Sequence, residues 1–139
     1  MLLMSDHLFD PAILASLIAG RRAEAALTLA ADRDVANPRL DLDDATKLRL
    51  DSDGRIAAIG KTLADYNAID TGIFLATPAL FGAIEASVAA GGSGSLSEGV
   101  ERLAKDGAAW GFDTGGRWWL DVDDEPAFRR AEAELAGVD

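Results

Sequence analysis

The sequence has no cysteine and a single histidine, His7, among its 139 residues. The first absence excludes disulfides, thiolate metal sites and a cysteine nucleophile. The second excludes multi-histidine zinc centres of the H-E-x-x-H kind. Positive charge is also scarce: 13 Lys and Arg stand against 24 Asp and Glu, a formal net charge of −11. Nucleic-acid binders draw most of their binding free energy from cationic contacts to phosphate, so no nucleic-acid partner is expected. An excess of carboxylates suits a hard cation such as Mg²⁺. No segment reaches the roughly 18–20 uninterrupted apolar residues of a membrane span. Met1-Leu2-Leu3-Met4 is apolar, but Asp6, His7 and Asp10 follow at once, and a signal peptide needs a basic start and a longer apolar run. These absences predict a soluble, cytoplasmic chain without a membrane segment.

What is present suffices for a core. Hydrophobic residues make up 49% and charged residues 27% of a length that suits one compact domain. Residues 1–5 look like a buried parallel strand, apolar with no polar lead-in. Asp10-Pro11 supplies a helix start, with Asp as N-cap and Pro at the first helical position, and the helix should stop at Gly20. Residues 23–31 are rich in alanine, yet Leu27 and Leu29 alternate around Thr28, and we read a strand.

An acidic stretch at Asp41, Asp43 and Asp44 precedes two alternating runs, 47–50 and 55–59. Asp51-Ser52-Asp53-Gly54 separates them, which is a hairpin signal. Residues 68–76 read as a further strand, and Thr77-Pro78 opens a helix carrying Leu80, Phe81, Ile84 and Val88. Residues 91–94 form a Gly-rich flexible joint. Ser95 and Glu98 have capping-box spacing for a helix running to about Lys105. Residues 108–112 and 117–122 read as strands around a turn at Gly115-Gly116, and a last helix starts near Asp124-Glu125-Pro126 and ends by Gly137. Strands alternating with helices, with one hairpin excursion, predict an α/β fold with a mixed sheet. There is no internal repeat and no second domain.

Two acidic positions follow apolar strands: Asp6, after Leu2-Leu3-Met4-Ser5, and the pair Asp121 and Asp123, closing Trp118-Trp119-Leu120-Asp121-Val122-Asp123. Ligands of open α/β sheets bind beyond the carboxyl ends of strands, and carboxylates brought there from two strands can hold one Mg²⁺ against phosphates. The same spacing also suits a plainer role, with Asp6, Asp10 and Asp123 as helix caps or surface acids. His7 reads as a loop residue orienting the Asp6 turn. Neighbours on an extended segment point opposite ways, so Ser5-Asp6-His7 is no hydrolase triad. By the same rule Trp118 and Trp119 should face opposite sides of their strand, one of them in the core.

Met4-Ser5-Asp6-His7-Leu8-Phe9-Asp10, Ala68-Ile69-Asp70-Thr71-Gly72-Ile73-Phe74 and Trp119-Leu120-Asp121-Val122-Asp123 resemble, in order, motifs of the nucleotidyltransferases that activate sugar and polyol phosphates. With Asp53-Gly54-Arg55-Ile56 and Ile59-Gly60-Lys61 they are most similar to inositol-1-phosphate cytidylyltransferases. The resemblance covers essentially the whole chain. It implies a Rossmann-like nucleotidyltransferase fold and Mg²⁺-dependent transfer of a nucleotidyl group, CMP from CTP, to inositol 1-phosphate or a sugar 1-phosphate. Pyrophosphate would be released. Asp6 matches the family's first catalytic, metal-binding aspartate and Asp123 the second, with Asp121 beside it. Side chains two apart on a strand share a face, so Asp121 and Asp123 could reach one cation. Asp70, Thr71 and Gly72 match the segment that contacts the acceptor, where Gly72 would permit close approach and Asp70 accept hydroxyl hydrogens. Thr71-Gly72 reads equally as a bulge within a strand. Lys61 would neutralise the acceptor phosphate, or else is a solvated hairpin lysine.

The sequence departs from the family at its start. The Gly-rich loop with its Arg and following Lys, which grips the triphosphate, has no counterpart, and the glycines of 91–94 are not followed by a Lys at phosphate-loop spacing. The expectation is therefore a single, partial nucleotidyltransferase domain spanning 1–139, its N-terminal nucleotide-binding part missing, and whether it acts alone is left open. Two alternatives stand beside it. One is a non-catalytic remnant or partner subunit, and the other a transferase for a different acceptor, a hexose 1-phosphate or molybdopterin. A sheet lacking part of its strands also predicts an exposed edge, hence a homo-oligomer.

Overall fold

The architecture comes from a computed structural model, which describes residues 1–137. Its centre is β3 (Leu27–Asp32) and β6 (Ala68–Ala76), which pair antiparallel. All six residues of β3 are buried. Helices cover both faces, so a central strand is buried throughout, Thr28 and Asp32 being its polar members. Of the alanines expected in a strand over 23–31, Ala30 and Ala31 join β3 despite their helix propensity, whereas Ala23, Ala25 and Ala26 precede it. The six-stranded sheet has the order β5-β4-β6-β3-β7, built with β4 (Lys47–Leu50), β5 (Ile56–Gly60) and β7 (Ala109–Asp113). Its remaining strand, β1 (Leu2–Leu3), pairs with β6. Only β3 and β7 run parallel; the other pairs are antiparallel, so the sheet is mixed as expected.

One face carries Leu27, Leu29, Leu48 and Phe74, which pack with Leu80 of α2 (Ala79–Ala89) and Val100 of α3 (Leu96–Lys105). The other carries Ala30, Ile69 and Ile73, which pack with Ile13 and Leu17 of α1 (Ala12–Gly20) and with Trp119. Each such large apolar side chain contributes about 1.5–3 kcal/mol through burial. The β4–β5 hairpin turns at residues 51–54 and crosses one face to the far edge of the sheet. There Gly111 N–H donates to Gly54 O at 2.8 Å and Arg55 bridges to Trp110.

Three expectations need correction. Residues 1–5 do not form a buried parallel strand: β1 has two residues, runs antiparallel to β6, and leaves Leu3 exposed. An apolar run on one side of an edge pairing resembles a buried strand in composition, but only half of it is covered. The strands flanking Gly115-Gly116 join different sheets. β7 pairs with β3, whereas β8 (Trp119–Asp121) pairs antiparallel with β2 (His7–Phe9), a strand too short to have shown a pattern. The glycines of 91–94 are no loose joint, because the Glu98 carboxylate accepts from Ser87 Oγ, Ser93 N and Oγ, Gly94 N and Ser95 N. The predicted capping box of Ser95 and Glu98 is formed. α4 (Glu125–Ala136) lies against β8 with Asp124 as N-cap, its carboxylate accepting from Ala127 N at 2.7 Å. Among the described residues, no helix is long and apolar enough to cross a membrane.

Candidate functional site

The β2–β8 ribbon joins the two ends of the chain. Its register sets His7 opposite Asp121, and residues directly opposite in an antiparallel pair share a face. His7 Nε2 accordingly lies 3.5 Å from Asp121 Oδ2. Residues 5 and 6 form a turn, held by Val122 N–H donating to Asp6 O at 2.9 Å. The turn overrides the alternation expected of an extended segment, and Asp6 Oδ1 comes to 3.8 Å from the same Nε2. His7 is thus a strand residue at the meeting point of two carboxylates rather than a loop residue. Of the adjacent tryptophans, Trp119 is buried with its ring centroid 5.7 Å from that of His7, and Trp118 is partly exposed.

The other ring nitrogen, Nδ1, donates to Thr71 O at 2.7 Å. Gly72 follows at φ +74°, and a Cβ there would collide with His7 Nδ1 and with Met4 Cγ. The close approach that Gly72 permits is therefore by the protein's own imidazole. Thr71 turns inward, fully buried, its Oγ1 donating to Ala30 O at 2.8 Å. The strand is also irregular here, since the β3–β6 register shifts between Leu29 and Ala31. Of the three residues matched to the acceptor segment, Asp70 and Gly72 line the adjoining cleft. Asp70 accepts from Gly72 N at 2.7 Å, and burial pushes its carboxyl up to about 6, against the pull of that N–H and of His7.

Lys61 donates to Asp44 Oδ1 at 2.5 Å, and this pair raises its pKa, with Asp121 and Asp123 adding to the effect. Carboxylate oxygens of Asp44, Asp121 and Asp123 lie within 4.8 Å of one another, although Asp123 stands beyond the end of β8. The Lys61 ammonium already serves that group. The neighbouring group, Asp6, His7 and Asp121, also lies within 4.8 Å and has no Lys or Arg ion pair among the described residues. Burial raises the Asp121 pKa, His7 opposes this, and Asp123, Asp6 and Asp44 raise it further. Its Oδ1 is buried with no hydrogen-bond partner among the described residues. A buried unpartnered carboxylate oxygen beside a second carboxylate fits a divalent cation.

The cleft has a volume of about 270 Å³, and its lining includes six aspartates (41, 44, 70, 121, 123 and 124) against Arg39, Lys61 and Arg130. Acceptor oxygens in that excess suit a polyhydroxylated ligand, and a phosphate there would need added positive charge. Two site residues escaped sequence reading. Asp44 looked like one member of an acidic stretch, and the role of His7 depends on a carbonyl 64 residues away.

No family model matches the chain. It is 32% identical over 138 residues to the bifunctional IPC transferase and DIPP synthase of Archaeoglobus fulgidus, covering 99% of this chain and 25% of that protein. The proteins of the same name from Thermococcus kodakarensis and Aquifex aeolicus are 35% and 30% identical, over 96% and 95% of the chain and 28% of each relative. The chain is homologous to part of these proteins. It spans about a quarter of their length. Among solved structures, the inositol-1-phosphate CTP transferase from T. maritima superposes with a TM-score of 0.74 at 26% identity, covering 94% of this chain and 51% of that one. A Bacillus anthracis protein provisionally named a glucose-1-phosphate thymidylyltransferase gives 0.73 at 17% identity, covering 94% and 52%, a likeness of fold. The fold is thus the mixed α/β nucleotidyltransferase fold implied by the resemblance.

Proposed function

We propose that residues 1–139 are a single, partial nucleotidyltransferase domain holding the metal-binding and acceptor-binding elements. The reaction transfers CMP from CTP to inositol 1-phosphate, or to a sugar 1-phosphate, in the cytoplasm. The observation that carries this reading is the convergence of Asp6 and Asp121 on one point beside a carboxylate-lined cleft. The homology to IPC transferases and the likeness to an inositol-1-phosphate CTP transferase support the choice of substrates.

An acceptor phosphate oxygen bonds to the α-phosphorus of the nucleotide while the bond to the pyrophosphate oxygen breaks in line. Positioning and charge neutralisation supply most of the catalysis, and no protein nucleophile is needed. Mg²⁺ bound at this site would offset the charge building on the leaving pyrophosphate. Asp6 and Asp121 are the ligands best placed to hold it. Asp123 joins through the group it shares with Asp44. Asp70 accepts hydrogen bonds from acceptor hydroxyls. Lys61 meets the acceptor phosphate at the cost of its bond to Asp44. Thr71, behind the cleft, and Gly72, in its wall, act by seating His7.

Pyrophosphate release by the purified chain, given CTP, Mg²⁺ and inositol 1-phosphate, tests the reading. Release that needs all three components supports it. No release by folded protein that still binds inositol 1-phosphate favours the second reading, a partner subunit or remnant. In that reading the cleft keeps its acceptor-facing carboxylates, Asp70 among them, without transferring a nucleotidyl group. Neither release nor binding overturns both. Exposure of Met1 and Leu3 beside the β1 edge supports a second copy of the chain as a partner, and a concentration-independent monomer by light scattering would count against it.

A further inference from the structure

We infer that His7 is a metal ligand: its Nε2 completes a three-donor site with the Asp6 and Asp121 carboxylates. Such a site prefers a cation that accepts nitrogen, such as Mn²⁺, over Mg²⁺. This rests on the metal-dependent reading of the site and extends it to the donor set and the identity of the ion.

The tautomer is fixed by chemistry. Thr71 O can only accept, so Nδ1, 2.7 Å away, carries a hydrogen. In neutral imidazole the lone pair is then on Nε2, the atom facing Asp6 and Asp121. A histidine that ligates through one nitrogen while the other donates to a backbone carbonyl is the usual arrangement at metal sites. The separations point the same way. At 3.5 and 3.8 Å, Nε2 is too far from the carboxylates for hydrogen bonds, which run to about 3.2 Å. These values lie near the spacing of about 3–3.5 Å between adjacent ligands on a cation that holds each at about 2.0–2.2 Å. The other oxygen of that carboxylate, Asp121 Oδ1, is buried and has no hydrogen-bond partner among the described residues.

The seat of the ring is built as carefully as its direction. Gly72 leaves room where any side chain would strike Nδ1, and Trp119 lies against the ring. Imidazole suits transition-series cations, whereas Mg²⁺ retains oxygen ligands and water. The second carboxylate group nearby is served by Lys61, so the cation is assigned to the group containing His7.

Mn²⁺ is the probe, and because His7 is the only histidine, a nitrogen signal from a bound ion has one imidazole source in tag-free protein. Pulsed EPR of the wild-type chain with Mn²⁺ should show ¹⁴N modulation. In His7→Phe that modulation should vanish and Mn²⁺ should bind about 10- to 100-fold more weakly. Mg²⁺, competed against Mn²⁺ in the wild type, should bind the more weakly of the two. Bound Mn²⁺ without ¹⁴N modulation overturns the role of His7 and leaves the carboxylate reading intact; the wild-type spectrum gives this result even if the variant misfolds. Undiminished Mn²⁺ binding with its ¹⁴N signal in Asp121→Asn would overturn the carboxylate assignment while keeping His7. No Mn²⁺ binding by folded wild-type protein overturns both.

Discussion

Asp32 Oδ2 accepts the indole hydrogen of Trp119 at 2.9 Å, a buried bond between residues 87 apart in sequence. It fastens the end of β3 to β8 and so orients the ring against His7. Asp32 also accepts from Asp34 N and Asn37 Nδ2, so the carboxylate is otherwise well supplied. Trp119→Phe keeps most of the apolar bulk and removes the donor. It should cost about 1.5–3 kcal/mol in denaturant unfolding, the range for a hydrogen bond to a charged group. A loss within about 0.5 kcal/mol would place the bond among contacts that add nothing.

Glu98 predicts an acid limb of stability. Chiefly because Ser87 Oγ donates to it, with further bonds from Ser93 and Gly94, its carboxyl is held at about 2, below the ordinary 4.5. A folded-state pKa below the unfolded one adds stability that is fully present above about pH 4.5. That stability is lost as the pH falls towards about 2. Melting temperatures of Glu98→Gln measured from pH 2 to 7 should fall less steeply over this window than those of the wild type. Parallel curves would show that the carboxylate holds the connection between α2 and α3 no better than an amide.

Asp70 predicts the opposite slope. Burial lifts its carboxyl from 3.8 to about 6, so the folded chain binds this proton more tightly than the unfolded chain does. Stability should therefore decline as the pH rises through that interval, and Asp70→Asn should remove this part of the decline. Asp70→Ala should weaken inositol 1-phosphate binding by about 10- to 100-fold in calorimetry, the loss of a hydrogen bond to a charged acceptor. Unchanged affinity would free the cleft of any role for this carboxylate.

Two glycines should answer the same substitution in opposite ways. Gly72→Ala places a Cβ at φ +74° against the His7 ring and should destabilise by more than about 1–2 kcal/mol. Gly82 lies on the exposed side of α2 with nothing within 4 Å of an added Cβ. Gly82→Ala should stabilise by about 0.5–1 kcal/mol, because alanine loses less backbone freedom on entering a helix. Equal effects in thermal unfolding would mean that the imidazole is not seated as described.

Local chemistry was legible in the sequence where it is local in space. Asp10 accepts from Ala12 N at 2.8 Å just ahead of α1, Asp124 and Ser95 cap their helices, and the hairpin turns at 51–54. Of Asp6, Asp10 and Asp123, read as helix caps or surface acids, Asp10 accepts from a backbone N–H at a helix start, while α4 is capped by Asp124 rather than Asp123. The wider bonding of Glu98 was hidden because Ser87 lies a helix away, and a Gly-rich run looks loose whether or not a carboxylate ties it. β2 has three residues, too few for any period to register. The motif resemblance put Asp6 and Asp121 near each other. That Lys61 is committed to Asp44, and that His7 turns its free nitrogen on both aspartates, depends on pairings between distant segments that spacing along a chain does not encode.

The β2–β8 ribbon also bears on the order of folding. β2 pairs with a strand near the opposite end of the chain and β1 with mid-chain β6, while β4 and β5 close over a few residues. Loop closure grows more costly with the length of chain enclosed, and such long-range pairings form slowly. The hairpin and the paired helices α2 and α3 can therefore assemble before residues 1–10 dock. Asp6 and His7 would then reach Asp121 only in that step, and a chain with a packed interior but an undocked amino terminus would hold its secondary structure and lack the proposed cation site.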